Sequence, residues 1–435
     1  MSYPQVTVVG AGLAGVEAAY QLAIRGIPVQ LVEMKKIKKS PAHHLDGFAE
    51  LVCSNSFRSD SLENAAGLLK AELRELGSIV MQVADATAVP AGSALAVDRI
   101  GFSERLTELI RSNPEITVVD AEATAIPDGP VILASGPLTS DALFAAIHTL
   151  TGEDALYFFD AAAPIIEFDS IDMNKAYFKS RYDKGEATYI NCPMTEAEYD
   201  RWHREVLTAE CVVTKAFEWK VFEGCMPFEE MARRGRLTLA YGPMKPVGLE
   251  TADGKRPFAV VQLRQDDAAA SLYNIVGFQT HLTFPEQRRI LRMIPGLENA
   301  VFARYGVMHR NAFINAPKII DEHYSMKKDP RIFFAGQLSG VEGYIESVGS
   351  AMVAALNMAR FVRNMPPLTF PPVTAIGSQA KYLATAAPAS FQPMNANFGL
   401  FPPLGFSHRH HDRRTLYAER ALAAIRLLKK EGSLE

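Results

Sequence analysis

The stretch from Val6 to Glu33 constrains the fold more than any other part of the chain. Val6-Thr7-Val8-Val9 is a β-branched run of the kind buried in a parallel sheet, and Gly10-Ala11-Gly12-Leu13-Ala14-Gly15 follows it directly. Val16, Ala19, Tyr20 and Ala23 then recur at helical spacing, Gly26 stops that helix, and Ile27 to Val32 reads as a second strand ending on Glu33. Strand, glycine turn, helix, strand and terminal acid together form a dinucleotide-binding fingerprint. Gly10 permits the tight turn, Gly12 lets the backbone approach a pyrophosphate, and Gly15 allows close helix–strand packing. The helix N-terminus offers the phosphates free N–H groups and a positive dipole end. Gly10, Ala11, Gly12, Leu13, Ala14 and Gly15 are therefore candidate cofactor contacts, with Glu33 accepting from the hydroxyls of an adenosine ribose.

A chain of 435 residues buries a large core and is expected to form two domains. The first strand begins almost at once, which leaves no room for a signal peptide, and no uncharged apolar run is long enough to span a bilayer. The cysteines at 53, 192, 211 and 225 form no Cys-x-x-Cys pair and no zinc spacing, so a reducing cytoplasm fits best. A formal net charge of −4 gives no global pull toward nucleic acid, and a polyanionic partner needs a local basic patch.

Beyond Glu33, residues 34 to 41 form a basic loop, read either as a solvated connection or as a phosphate-contacting edge. His43 to Arg58, including Cys53, is too rich in polar groups for a core strand and is expected to line the cofactor cleft or form a satisfied turn. Leu62 to Leu76 predicts a helix capped at Gly77, and Leu95 to Arg99 a strand leading to a helix over 102–110. Short strands are predicted over 116–120, 121–126 and 131–134, the last ending at Ser135-Gly136-Pro137. From about Ala145 aromatic residues and Pro breaks increase, which suggests an inserted α+β domain. Lys175, Lys179, Arg181 and Lys184 with several tyrosines there read as an RNA-facing surface or simply as exposed strand faces. Arg331 to Gly336 then reads as a strand of the first domain, Gln337 to Ser347 as a Gly-rich loop, and Val348 to Arg363 as a helix.

The early and late elements together predict an α/β fold. It is a Rossmann-like FAD-binding domain of the two-dinucleotide-motif flavoprotein type, carrying an inserted α+β domain. The expected partition is 1–145 for the first part of the FAD domain, 146–310 for the insertion and 311–435 for the returning part. The late helix is expected to aim its N-terminus at the pyrimidine edge of the isoalloxazine, where its dipole stabilises an anionic reduced flavin. The clustered His408, His410 and His411 lie among arginines that repel cations, and no metal site is expected there. Thr415 to Lys429 predicts a final amphipathic helix.

Two cysteines stand out. Cys225 sits in the turn Phe222-Glu223-Gly224-Cys225-Met226-Pro227, which displays a thiol where an apolar face would bury it. Cys53 lies in the polar loop near the cofactor, whereas Cys192 and Cys211 read as inert small core residues. A reactive thiolate needs a positive neighbour. Near Cys225 the sequence offers Glu223, Glu229 and Glu230, so any cation must come from elsewhere in the fold.

These stretches resemble the folate- and FAD-dependent tRNA uracil-5-methyltransferases of bacteria. The matching segments are Val9 to Gly15, Phe48 to Ser56, Phe222 to Pro227, Gly277 to Thr280, Arg304 to Asn311 and Phe334 to Tyr344, and the resemblance covers nearly the whole chain. It implies transfer of a one-carbon unit from 5,10-methylenetetrahydrofolate to carbon 5 of the T-loop uridine (position 54) of tRNA. It further implies passage of that carbon through flavin N5, reduced FAD as hydride donor and NAD(P)H to regenerate it. Carbon 5 of uracil becomes nucleophilic only after addition at carbon 6, which a thiolate does well. On this resemblance Cys225 is the nucleophile, and Cys53 sits at the flavin–methylene centre as a base or a protecting thiol. Tyr344, Gly336 and Gln337 are expected to hold the flavin, and Gln279 and His309 are candidate pterin contacts, His309 being equally readable as a structural histidine. Two alternatives stand beside it. A folate/FAD enzyme acting at the wobble uridine would carry a helical C-terminal extension missing here. An NAD(P)H-dependent flavin oxidoreductase would carry a paired redox cysteine motif or a second Gly-x-Gly-x-x-Gly.

Overall fold

A computed structural model describes residues 3–40, 42–154, 156–183, 186–212, 226–251, 253–406, 409 and 412–432. Its first sheet is ordered Ser325–Met326, Asp329–Phe334, Val131–Leu133, Val6–Val9, Val29–Glu33, Ile116–Asp120, parallel throughout except at the Ser325–Met326 edge. The β-branched residues of Val6–Val9 are buried, as a strand covered on both faces requires. Helix Leu13–Ala23 packs on helix Tyr344–Val362, so the first and last thirds of the chain share one core. Among the described residues no helix is long and apolar enough to cross a membrane.

The second sheet is antiparallel, ordered Tyr177–Phe178, Ile190–Met194, Ala259–Gln265, Leu272–Ile275, Ile165–Glu167, Phe302–Arg304. Its own core gathers Tyr199 and Trp202 from helix Glu196–Thr208 with Phe228 and Phe278. Cys192 lies in that core as expected, and burial pushes its thiol up to about 12. A two-stranded ribbon, Leu156–Ala161 against Met308–Phe313, joins the two sheets. The Ala312 N–H donates to Pro137 O and the Ile314 N–H to Leu338 O, which ties the ribbon to the first domain.

Elements that differ from the sequence reading include strand Ser56–Ser59 and helices Asp141–Thr151 and Ala375–Thr385, none of them predicted, and three more. Residues 121–126 form no strand. Helix Ile79–Ala86, capped by Ser78 accepting from the Met81 N–H, follows Ala65–Glu75 where none was predicted. The late helix starts at Tyr344, four residues earlier than its periodicity suggests, so Tyr344 belongs to a helix and not to a loop.

The glycine turn behaves as its spacing requires. Gly10 holds φ +98°, and a Cβ there would meet Ala134 O. A Cβ at Gly15 would collide with the Gly10 carbonyl, whereas one at Gly12 meets nothing within 4 Å. Gly15→Ala is therefore expected to cost about 3 kcal/mol of unfolding free energy, since backbone cannot yield as a side chain does. Gly12→Ala is expected to leave apoprotein unfolding unchanged and to lower the flavin retained on purification. Calorimetry paired with flavin absorbance checks both.

Candidate active site

The glycine turn, the tip of Val29–Glu33 and the start of the late helix enclose a cleft. Gly10, Gly12, Leu13, Ala14, Glu33, Gly336, Gln337 and Tyr344 line it, while Ala11 and Gly15 are buried just behind. The Glu33 carboxylate accepts from the Ala11 N–H at 2.6 Å and the Lys35 N–H at 2.8 Å. Both oxygens keep lone pairs for ribose hydroxyls. Gly336, at φ +71°, brings its backbone against Ala14, where a Cβ would stand 2.8 Å from the Ala14 Cβ. Open space over Gly12 beside the N-terminus of helix Leu13–Ala23 fits a pyrophosphate, and the donor set fits FAD.

The basic loop divides. Lys36, Lys38 and Lys39 pair with Asp120, Glu122 and Asp46 at the surface, whereas Lys35 turns inward against Glu50 and lines the cleft. Burial pulls the Lys35 ammonium below its ordinary value. In the inserted domain Lys175 pairs with Glu298, Lys179 with Glu250, and Arg181 donates to the Lys245 and Val247 carbonyls. These cations serve internal contacts, and Lys184 lies outside the described residues.

The loop Leu51–Asn55 carries Cys53 and is gripped from several sides. The Tyr344 hydroxyl accepts from the Cys53 N–H at 2.9 Å and donates to Cys53 Sγ at 3.2 Å. Burial and the nearby Cys53 push the Tyr344 phenol well above its ordinary value, so it remains a donor. Arg99 donates to Leu51 O and makes a two-pronged bond to Asp266 at 2.8 and 3.0 Å, both side chains buried. Arg304 donates to Val52 O at 2.9 Å, and Arg264 reaches Ser54 Oγ and Asn55 Oδ1. Arg99 and Arg304 thus supply positive charge around Cys53 that its own stretch of sequence lacks. Sequence reading missed Arg99, Asp266 and Arg264, and Arg304 was visible only as the first residue of a matching segment.

Cys225 lies outside the described residues, but the ends of its segment do not. The Val212 N–H donates to His281 O and the Phe228 N–H to Gln279 O, so the described residues on either side of the segment pair with one stretch, 279–281. Gln279, half-buried, accepts from the Phe228 N–H. His309 lies on strand Met308–Phe313, with its side chain outside the described portion. Beneath this stretch the buried Glu229 accepts from Thr280 Oγ1 and the His281 N–H, and its Oε1 lies 2.8 Å from His281 Nδ1. Cys211 is half-buried there with Arg233 Nη2 3.5 Å from its sulfur, and so is not the core residue expected. Ligand atoms of Cys211, Glu229 and His281 lie within 4.8 Å of one another, but Arg233 on the sulfur makes this an ion-paired brace. Burial lowers the His281 imidazole, yet its bonds to Cys211 and Glu229 outweigh that and hold it at about 9.

Two outcomes follow from these contacts. Asp266→Ala strands a buried guanidinium and is expected to cost about 3–5 kcal/mol in urea unfolding, with faster amide exchange across Val52 to Asn55. Because the folded His281 pKa lies above the ordinary value, its stabilisation is complete below about pH 6.5 and is lost as pH rises through about 9. The wild-type melting temperature is expected to fall across that window, and His281→Gln to flatten the fall.

A family model described as glucose inhibited division protein A matches residues 5–366. The chain is 58% identical over 428 residues to the methylenetetrahydrofolate–tRNA-(uracil-5-)-methyltransferase TrmFO of Bacillus licheniformis, covering 98% of this chain and 99% of the relative. It is also 58% identical to the protein of the same name from Anoxybacillus flavithermus, covering 98% and 100%. Among solved structures, Aquifex aeolicus GidA superposes with a TM-score of 0.73 at 16% identity, covering 100% of this chain and 74% of that one, a likeness of fold. On these matches the chain belongs to the GidA family and, within it, to the TrmFO proteins.

Proposed function

We propose that this methylenetetrahydrofolate–tRNA-(uracil-5-)-methyltransferase acts on the T-loop uridine of tRNA, position 54, with Cys225 as nucleophile and Cys53 as base. The observation that carries the reading is the Cys53 loop, whose Tyr344 anchor also lines the dinucleotide cleft. Gly10 to Gly15, Glu33, Gly336, Gln337 and Tyr344 hold FAD, and Gln279 and His309 contact the pterin. When bound and reduced, the flavin supplies the hydride that completes the methyl group, and NAD(P)H restores it.

The chain's own residues manage sulfur and protons. The Cys225 thiolate bonds to uracil carbon 6, and the electron pair displaced from the 5,6 double bond makes carbon 5 the nucleophile toward the folate-derived carbon. Cys53 then takes the carbon 5 proton, and the electron pair so released expels the nitrogen that carried the one-carbon unit, leaving an exocyclic methylene on the ring. When a hydride adds to that methylene, the 5,6 double bond is restored and Cys225 leaves as thiolate. The Tyr344 hydroxyl, protonated because it is buried, donates to Cys53 and orients its sulfur. Arg99 and Arg304 fix the carbonyls on the N-terminal side of the same loop. A cytoplasmic location goes with a tRNA substrate.

Incubation with unmodified tRNA, labelled methylenetetrahydrofolate and NAD(P)H is expected to place label at uridine 54. Cys225→Ala and Cys53→Ala are each expected to lose methyl transfer by at least about 100-fold while retaining FAD. Label at the wobble uridine would contradict the substrate assignment, and full activity of Cys225→Ala would remove it as nucleophile.

A further inference from the structure

With Lys175, Lys179 and Arg181 committed to internal partners, an RNA-binding face must be sought elsewhere. Helix Phe284–Leu291 and strand Phe302–Arg304 provide one. The Phe302 ring stacks on Tyr305 at 5.1 Å between centroids with planes 13° apart, and Tyr305 stacks on Phe284 at 4.8 Å and 17°. The column runs outward. Phe302 packs against the second core, whereas Phe284 at its outer end is 51% exposed. Helix packing does not require that ring at the surface, since Ile290 and Leu291 of the same helix are fully buried.

Charge reinforces the geometry. Arg288, one helical turn beyond Phe284, is exposed and donates through Nε and Nη2 to the Tyr305 hydroxyl at 3.1 and 2.6 Å. Arg292, a turn further, donates to Ala300 O. Neither has a carboxylate partner within 4 Å among the described residues, whereas the adjacent Arg289 is held by Glu286 and Glu205. The rings therefore sit beside one guanidinium, that of Arg288, with no carboxylate on it among the described residues, on a chain whose net charge is negative.

The position is the third observation. Tyr305 follows Arg304, which holds Val52 O next to Cys53. Phe284 lies three residues after His281, whose carbonyl receives the Val212 N–H. Tyr305 and Phe284 of the column are thus one and three residues from groups that hold the Cys53 loop and pair with Val212. We propose that Phe284, backed by Tyr305 and Phe302 and flanked by Arg288, is a platform on which an unpaired base of the tRNA loop stacks while the target uridine is held at the cysteines. An aromatic face accepts any base, and the guanidinium meets the backbone phosphate. The inference rests on tRNA being the substrate.

The test uses the full-length flavoprotein, unmodified tRNA and a T-arm stem-loop. Phe284→Ala is expected to weaken binding of both RNAs about tenfold. Phe284→Trp is expected to restore it. Arg288→Ala is expected to weaken binding and to reduce the slope of log affinity against log salt by about one. Flavin content, melting temperature and the KM for methylenetetrahydrofolate are expected to stay at wild-type values. Unchanged RNA affinity in Phe284→Ala overturns the platform. So does a defect confined to the folate KM, which assigns the ring to the pterin, or a lowered melting temperature with normal RNA affinity. A wild-type protein that methylates no tRNA would instead remove the underlying reading, which separates the two failures.

Discussion

The buried ion pair between Arg99 and Asp266 is the interaction on which the arrangement of the site depends. Taking two charges out of water is expensive, and their attraction repays that only when geometry is good and remaining donors are satisfied. Here Nε and Nη2 meet the two carboxylate oxygens and Nη1 meets Leu51 O, so one guanidinium joins the inserted domain to the Cys53 loop. Asn55 repeats the arrangement with neutral groups, donating to Val97 O on one side and Gln265 O on the other. The loop therefore takes its shape only when both parts of the chain are folded against each other.

That coupling also settles the electrostatics of the sulfur. A thiol needs nearby positive charge or a donor to act as a thiolate, and the residues adjacent to Cys53 in sequence supply neither. The fold delivers both from a distance: guanidinium groups from positions 99 and 304, and a hydroxyl from position 344 that burial keeps protonated. Cys192 shows the opposite setting. It is fully buried beside Gly296, with no hydrogen-bond donor to its sulfur among the described residues, and its thiol is pushed up to about 12.

Burial and partnership likewise sort the cations of the chain into two groups. Those of the basic loop and of the early inserted domain are mostly balanced by carboxylates or carbonyls, as solvated faces of a globular protein usually are. Arg288 on helix Phe284–Leu291 is not, and it lies against the Tyr305 ring of the aromatic column. Composition gives no hint of this division, because counts of lysine and arginine carry no information about what each one faces.

Much of the nucleotide half was legible in the residues because its constraints are local and steric. Gly10 must turn, Gly15 must let two backbones touch, and Glu33 must end a strand, and each demand is written within a few positions of the residue that meets it. The late helix was found but begun four residues too late, since Gly340 and Gly343 look like loop until the Tyr344 ring packs near Phe57 and its hydroxyl finds Cys53. Sequence by itself therefore determined the glycine-turn fold, the flavoprotein architecture and the place of the 43–58 stretch beside the cleft. Only tertiary structure decided which charges surround that sulfur, because Arg99, Asp266 and Arg304 lie from 46 to 251 positions away from Cys53 and meet it only through long-range packing.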